Sequence, residues 1–132
     1  MSNIISTKVL KSIALTILHP NDPNARIADC HSVVADYIRT HRVNMNDKIV
    51  LLGHSRFVSH SVLISQDNDV LADSFANHNV DASLNKETLE FHYIKNGQEV
   101  ILNPVDIITI RDFTKHYLNP QISFKDYITS TS

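Results

Sequence analysis

The sequence predicts an α+β domain in which N-terminal helices pack on a small antiparallel β-sheet and a C-terminal helix follows the sheet. Two observations support this class. Apolar residues recur at helical spacing before about residue 40, and from Lys48 to Leu102 the pattern changes to that of short strands separated by turns. A chain of 132 residues has the usual size of one domain. We therefore predict a single domain over residues 1–132, with a frayed tail at 126–132.

Two helices are predicted at the N-terminal side. Apolar residues at helical spacing indicate an amphipathic helix near residues 3–19. The segment His19–Asn24 contains two prolines and two asparagines, which is loop chemistry and ends that helix. Asp29 is a suitable N-cap for a second helix that begins near Cys30.

The middle of the chain has strand-like segments and clear turn signals. The predicted strands are residues 49–52, 57–65, 70–75, 89–94 and 99–102. Asn96-Gly97 is a strong hairpin signal between the last two of these strands. Asn103-Pro104 has the form of an N-cap followed by proline at the first helical position, which predicts a last helix from there to about Leu118.

Composition limits the classes of partner. The formal net charge is −2, and the lysines and arginines are scattered, so we expect neither nucleic acid nor a membrane as partner. No apolar run reaches the roughly 18 residues that a membrane span requires. The single cysteine cannot form an internal disulfide. We expect a cytoplasmic protein, and delivery into another cell as a toxin or effector stays compatible with this sequence, as does any oligomeric state.

Cys30 is the first candidate for chemistry. Its predicted place is the first turn of a helix, where unpaired N–H groups and the helix dipole favour an anion and lower the pKa of a thiol. An alternative interpretation is structural. Cys30 also falls on the same apolar stripe as Val33, Val34 and Tyr37, and a free cysteine often behaves as a small buried hydrophobe.

His60 and Asp73 are the second and third candidates. If Asp67-Asn68 is a two-residue turn, or Gln66–Asp69 a four-residue turn, Val62 faces Asp73 and Ile64 faces Leu71. His60 and Asp73 then become diagonal neighbours on one otherwise apolar face of a hairpin. A three-residue loop would place them on opposite faces.

Two interpretations of that pair stay open. In the functional one, Asp73 orients His60, and His60 accepts the proton of the Cys30 thiol. In the structural one, His60 and Asp73 form a satisfied polar pair that only fixes the register of the hairpin.

Three runs carry a resemblance to a known family: residues 29–35 around the cysteine, residues 59–64 around the histidine and residues 70–75 around the aspartate. Together they resemble the core of the papain-like cysteine hydrolase superfamily, in which a cysteine opens a helix, a histidine begins a strand, and Asp or Asn lies on the next strand. The likeness spans about residues 24–76. It is closest in style to small bacterial papain-fold toxins, protein-glutamine deamidases and effector proteases.

The resemblance has departures and further implications. Papain-like proteases often have Gly beside the cysteine, whereas this chain has Asp29 and His31. The short spacing between Cys30 and His60 leaves little room for a second lobe. The family also places a side-chain amide shortly before the cysteine to hold the oxyanion. Asn24 is the best-placed candidate for that role and Asn21 the next, with the backbone N–H of Cys30 as the other donor.

The resemblance implies a thiol-dependent acyl-transfer enzyme that acts on a protein or peptide amide through a thioester, without a cofactor. A triad of this kind does not distinguish proteolysis, glutamine deamidation and transglutamination. The alternative function is a non-catalytic protein-binding module or inhibitor in which the His60–Asp73 pair is structural and a surface such as Asn77–Asn85 binds the partner; a pseudoenzyme is a third.

A metal site is not expected. The residues that could contribute ligands lack paired spacing such as C-x-x-C or H-E-x-x-H. They are Cys30, His31, His54, His60 and His78.

Overall fold

The structure is a computed structural model that describes residues 4–22, 31–54, 57–73 and 82–118. Within these ranges the chain forms three α-helices and six β-strands, which confirms the predicted α+β class. The elements are α1 (Ile4–Leu18), α2 (Ser32–Thr40), β1 (Lys48–His54), β2 (Phe57–Ile64), β3 (Val70–Asp73), β4 (Ala82–Leu84), β5 (Phe91–Lys95), β6 (Gln98–Thr109) and α3 (Ile110–Phe113), followed by a π-helical turn at Thr114–Leu118.

The six strands form one antiparallel sheet in the order β3-β2-β1-β6-β5-β4. Strand β6 is 12 residues long and joins the two halves of this sheet. Its first half pairs with β5 and its second half pairs with β1. A β-bulge at Val105 lies in the second half, between the Leu51–Asp106 and Leu52–Pro104 pairs, and bulges bend and twist a strand. The sheet as a whole is nearly barrel-shaped.

The alternation of side chains along β1 and β2 produces two apolar cores, one on each face of the sheet. On one face, Ile49, Leu51 and Leu63 pack with the helices. The helical residues of that core are Val9, Leu10, Ile13, Ala14, Val34, Ala35, Ile110 and Phe113. On the other face, the neighbouring residues of β1 and β2 pack against Phe91 and Leu102, which the curvature of the sheet brings over them.

The helix predicted near residues 3–19 is confirmed as α1, which spans Ile4–Leu18. Its buried residues recur at helical spacing, so the face that the sequence pattern predicts is the face that packs. The described part of α2 begins at Ser32 and is preceded by His31 at its N-cap. None of the described helices is long and apolar enough to cross a membrane.

The helix predicted from Asn103 is wrong over its first seven residues, 103–109. Asn103 and Pro104 lie inside β6, opposite Gly53 and Leu52, and the helix begins only at Ile110, with Thr109 as its N-cap. Proline is tolerated here because Pro104 lies beside the bulge, where the regular hydrogen-bond ladder is interrupted. The Thr109 hydroxyl accepts a hydrogen bond from the Asp112 backbone N–H at 3.2 Å. The short strand β4 is a further element that the sequence pattern did not predict.

The hairpin turns at the two ends of the sheet are joined by Asn68. Its side-chain oxygen accepts a hydrogen bond from Lys48 Nζ at 2.6 Å, and its side-chain nitrogen donates to the Lys86 carbonyl at 2.9 Å. Lys86 also forms an exposed ion pair with Asp69. Asn68 adopts a φ of 66°, in the left-handed region that Asn tolerates better than most residues. One side chain therefore ties the β2–β3 turn to the β4–β5 turn.

We expect Asn68→Ala to destabilise the protein by about 2 kcal/mol and Asn68→Gly by about 1 kcal/mol, as measured by urea unfolding. Both substitutions remove the two side-chain hydrogen bonds, but glycine adopts a positive φ without strain and alanine does not. An Asn68→Ala protein as stable as Asn68→Gly would contradict the left-handed conformation of this turn.

Candidate functional site

The β2–β3 hairpin carries His60 and Asp73, the predicted histidine and aspartate. The predicted pairing of Val62 with Asp73 is confirmed, whereas the predicted pairing of Ile64 with Leu71 is wrong, because Ile64 pairs with Val70. The register shifts by one residue between Leu63 and Ile64, so Leu71 forms a bulge in β3. Beyond that bulge the pairing follows the predicted register.

The bulge compensates for a turn that differs from the predicted one. The loop between the paired residues comprises 65–69, an odd number of residues, instead of two or four. Within it, the Asn68 N–H donates to the Ser65 carbonyl at 2.9 Å and the Ser65 N–H donates to the Asp69 carbonyl at 2.8 Å. An odd loop alone would invert the facing of β3, and the extra residue at Leu71 restores it.

His60 and Asp73 consequently share one face of the sheet. His60 pairs with Leu52, and Val62 pairs with Val50. Both β2 residues therefore face the core that contains Phe91 and Leu102. Asp73 faces the same way because its partner is Val62. The two residues are diagonal neighbours, a relation that separates Cα atoms by about 7–8 Å. Both side chains are half-buried.

Tyr93 of β5 contacts His60 from across the curved sheet. The ring centroids lie 6.3 Å apart at an interplanar angle of 64°, so the rings meet edge to face. Tyr93 also lines an open groove of about 590 Å³ on β4, β5 and the start of β6, where Ser83, Leu84 and Glu99 are among the other lining residues. Tyr93 therefore links the candidate base to a surface depression that could receive a side chain of a substrate.

Two features of the backbone fix the end of β2 that carries His60. The β1–β2 register shifts between the Leu52–His60 pair and the Gly53–Val58 pair, so Ser59 forms a bulge next to His60. Gly53 lies so close to the opposite strand that a Cβ on it would be 1.6 Å from the Phe57 carbonyl oxygen. Bulges change the direction of neighbouring side chains and are frequent beside active sites. Only glycine fits at position 53 without a shift of the backbone.

His31 and Ser61 form a buried polar pair on the helix-covered face of the sheet, opposite the face that carries His60. The His31 Nδ1 atom lies 2.7 Å from the Ser61 hydroxyl, and the two residues are 3% and 0% exposed. Burial, and to a lesser extent the charge that His60 carries when protonated, together lower the pKa of the His31 imidazole from 6.5 to about 4. His31 is therefore neutral at pH 7. The complete burial of Ser61 excludes its hydroxyl as an accessible nucleophile in this conformation.

Cys30 and Asn24, the predicted nucleophile and oxyanion donor, lie outside the described residues. Cys30 directly precedes His31 in the sequence, and Ser61 directly follows His60. The His31–Ser61 hydrogen bond thus joins the sequence neighbours of two members of the predicted triad. Asn21, the second oxyanion candidate, is exposed.

Sequence reasoning did not single out the His31–Ser61 pair. A usable signal existed in β2, where Ser61 falls on the same strand face as Leu63 and is a polar residue at a position that must be buried. It did not indicate which residue would contact that hydroxyl, because the partner lies 30 positions away in the sequence. Among the described residues, no group of three or more His, Cys, Asp or Glu side chains could hold a metal ion.

Comparisons with protein-family models, curated proteins and solved structures found no match to this chain.

Proposed function

We propose that this protein is a thiol-dependent acyl-transfer enzyme of the papain-like class, with Cys30 as nucleophile, His60 as general base and acid, and Asp73 as the residue that orients His60. The observation that carries the proposal is the placement of His60 and Asp73 as diagonal neighbours on one face of the β2–β3 hairpin. The hydrogen bond between His31 and Ser61 joins the chain next to Cys30 to strand β2 next to His60, with the Ser61 side chain on the face of the sheet opposite to that of His60.

In the proposed reaction, His60 accepts the thiol proton and the Cys30 thiolate attacks the carbonyl carbon of an amide. The C–S bond forms, the C–N bond breaks, and the imidazolium of His60 donates its proton to the leaving amine. Water, deprotonated by His60, then attacks the thioester, releases the acid and returns the thiol. We propose Asn24 and the backbone N–H of Cys30 as donors to the oxyanion of both tetrahedral intermediates.

The substrate class is a protein or peptide amide. With water as acceptor, attack on a glutamine side chain gives deamidation and attack on a main-chain amide gives proteolysis; an amine acceptor gives transglutamination. The groove beside Tyr93 is the proposed place for a substrate segment. A single small domain with such a groove fits an effector-like or toxin-like enzyme that modifies a protein substrate, acting in the cytoplasm of its own cell or of another.

The test is the pH dependence of Cys30 alkylation by iodoacetamide in the wild type and in His60→Ala. We expect the wild-type thiol to react rapidly near pH 6 and His60→Ala to lower that rate about tenfold or more, because an ordinary thiol with a pKa of roughly 8.5 is almost fully protonated there. Asp73→Asn should lower the rate less, since the base is retained but its orientation is lost.

His92→Ala is the matched control. His92 lies on β5 and contacts Glu99 at 2.7 Å, so its loss removes an imidazole without altering the β2–β3 hairpin. Its alkylation profile should match that of the wild type. If the wild type and His60→Ala both behave as ordinary thiols, or react only when unfolded, the triad is wrong, and the non-catalytic binding module becomes the better interpretation.

A further inference from the structure

The His31–Ser61 pair has no part in the chemistry proposed above, yet it occupies a central place. His31 stands at the N-cap of α2, and Ser61 lies in the middle of β2, backbone-paired with Leu51. Both are buried, and Ser61 lies on the face of β2 that packs with the helices. A buried imidazole costs free energy that an apolar side chain of similar size would not. The pair therefore needs a reason other than core packing.

The geometry of the hydrogen bond suggests that reason. A hydrogen bond has a preferred length and direction, whereas an apolar contact permits sliding. The bond between His31 Nδ1 and Ser61 Oγ, at 2.7 Å, fixes where the beginning of α2 lies along β2. Its two ends are one residue from Cys30 and one residue from His60 in the sequence. A shift of either end would alter the separation between the proposed nucleophile and base, a distance on which proton transfer depends strongly.

The neutral state of His31 suits such a role. His60 becomes an imidazolium during the proposed reaction, and a second positive charge nearby would oppose it. The positive charge of a protonated His60 lowers the pKa of His31, so protonation of the two rings is mutually unfavourable. A neutral imidazole supplies a directional hydrogen bond to Ser61 without that cost.

We propose that His31 is a positioning residue, which acts through its hydrogen bond to Ser61 to hold the start of α2 in register with His60. This inference rests on the proposed function and extends it. His31 itself touches no reacting atom in this scheme.

The experiment compares His31→Leu, His31→Asn and Ser61→Ala by two measurements: the rate of Cys30 alkylation between pH 5 and 9, and the thermal midpoint. In His31→Leu and Ser61→Ala we expect the rate at pH 6 to fall about tenfold while the rate at pH 9, where any thiol is ionised, stays unchanged. His31→Asn places an amide near the position of Nδ1 and should retain most of the rate at pH 6.

A purely structural role would give a different result, in which the thermal midpoint falls but the pH profile of alkylation stays that of the wild type. That result, alongside a normal loss of reactivity in His60→Ala, would overturn the positioning role and leave the triad intact. A wild type whose profile equals that of His60→Ala would overturn both proposals. If His31→Leu does not fold, Ser61→Ala decides, since it removes only the hydroxyl group.

Discussion

Replacing Gly53 with alanine is expected to lower the free energy of unfolding by at least about 3 kcal/mol. The new Cβ would lie 1.6 Å from the carbonyl oxygen and 2.7 Å from the carbonyl carbon of Phe57, and 3.2 Å from Cα of Val58. These are backbone atoms, so no side-chain rotation relieves the clash. Strands β1 and β2 must separate at this end, which disrupts the pairs Gly53–Val58 and His54–Phe57. Urea unfolding followed by circular dichroism measures the loss.

Gly97→Ala is the matched control, because it adds the same methyl group at the other hairpin glycine. Gly97 has a φ of 78°, and no atom beyond its own residue and its two chain neighbours lies within 4 Å of the position that its Cβ would occupy. Only the strain of a left-handed alanine remains, and that costs about 1 kcal/mol. Equal losses in the two variants would show that the β1–β2 end adjusts freely around position 53. In that case the backbone would not hold the bulge beside His60 as tightly as the contact distances indicate.

The periodic parts of this fold are predictable from the sequence. Helix α1 follows its helical period, and strands β1, β2 and β5 lie within a few residues of the segments predicted from their apolar composition and flanking turns. The Asn96-Gly97 turn is also confirmed, with φ values of 54° and 78° that suit a tight hairpin. Local chemistry is sufficient in each of these cases, since the side chains that determine the conformation lie within the element.

The errors occur where distant strands override a local signal. Asn103-Pro104 has the form of a helix start, but the preceding strand continues past it because β1 offers pairing partners as far as Thr109. A sequence pattern does not reveal that β6 will bridge two halves of a sheet. Strand β4 is only three residues long and depends on its pairing with β5. Its sequence, Ala82–Leu84, has no strong strand preference of its own.

In the candidate site, too, local patterns could be predicted from the sequence and contacts between distant elements could not. The shared face of His60 and Asp73 could be predicted from the alternation of apolar residues on two adjacent strands. The turn between these strands was predicted incorrectly, but the prediction of the shared face is still correct because the bulge at Leu71 restores the register. The contact between His31 and Ser61 could not be predicted, because it depends on how α2 lies against β2. Contacts between elements require the tertiary arrangement, which no local pattern encodes.

The buried imidazole of His31 should make the protein sensitive to mild acid. Burial, together with the charge of a protonated His60, lowers the pKa of His31 from 6.5 to about 4. Between these two values the unfolded chain binds a proton at this residue and the folded chain does not, so lowering the pH favours unfolding. The expected loss in unfolding free energy from pH 7 to pH 4 is about 3 kcal/mol from this group alone, and it ends once the folded state is also protonated. Urea unfolding at a series of pH values measures it.

His31→Asn isolates that contribution, because asparagine keeps a hydrogen-bonding group near Ser61 but does not ionise. Groups that do not interact with His31 titrate alike in both proteins, so their effects cancel when the two stability curves are subtracted, and only the coupling of His31 to His60 remains beside the titration of His31 itself. The difference should be constant above pH 7 and should move in favour of His31→Asn by about 3 kcal/mol as the pH falls to 4. A flat difference would mean that His31 accepts a proton in the folded state as easily as in the unfolded chain. The ring would then be accessible to water, and a neutral, fixed hydrogen bond to Ser61 could not be maintained below pH 6.5.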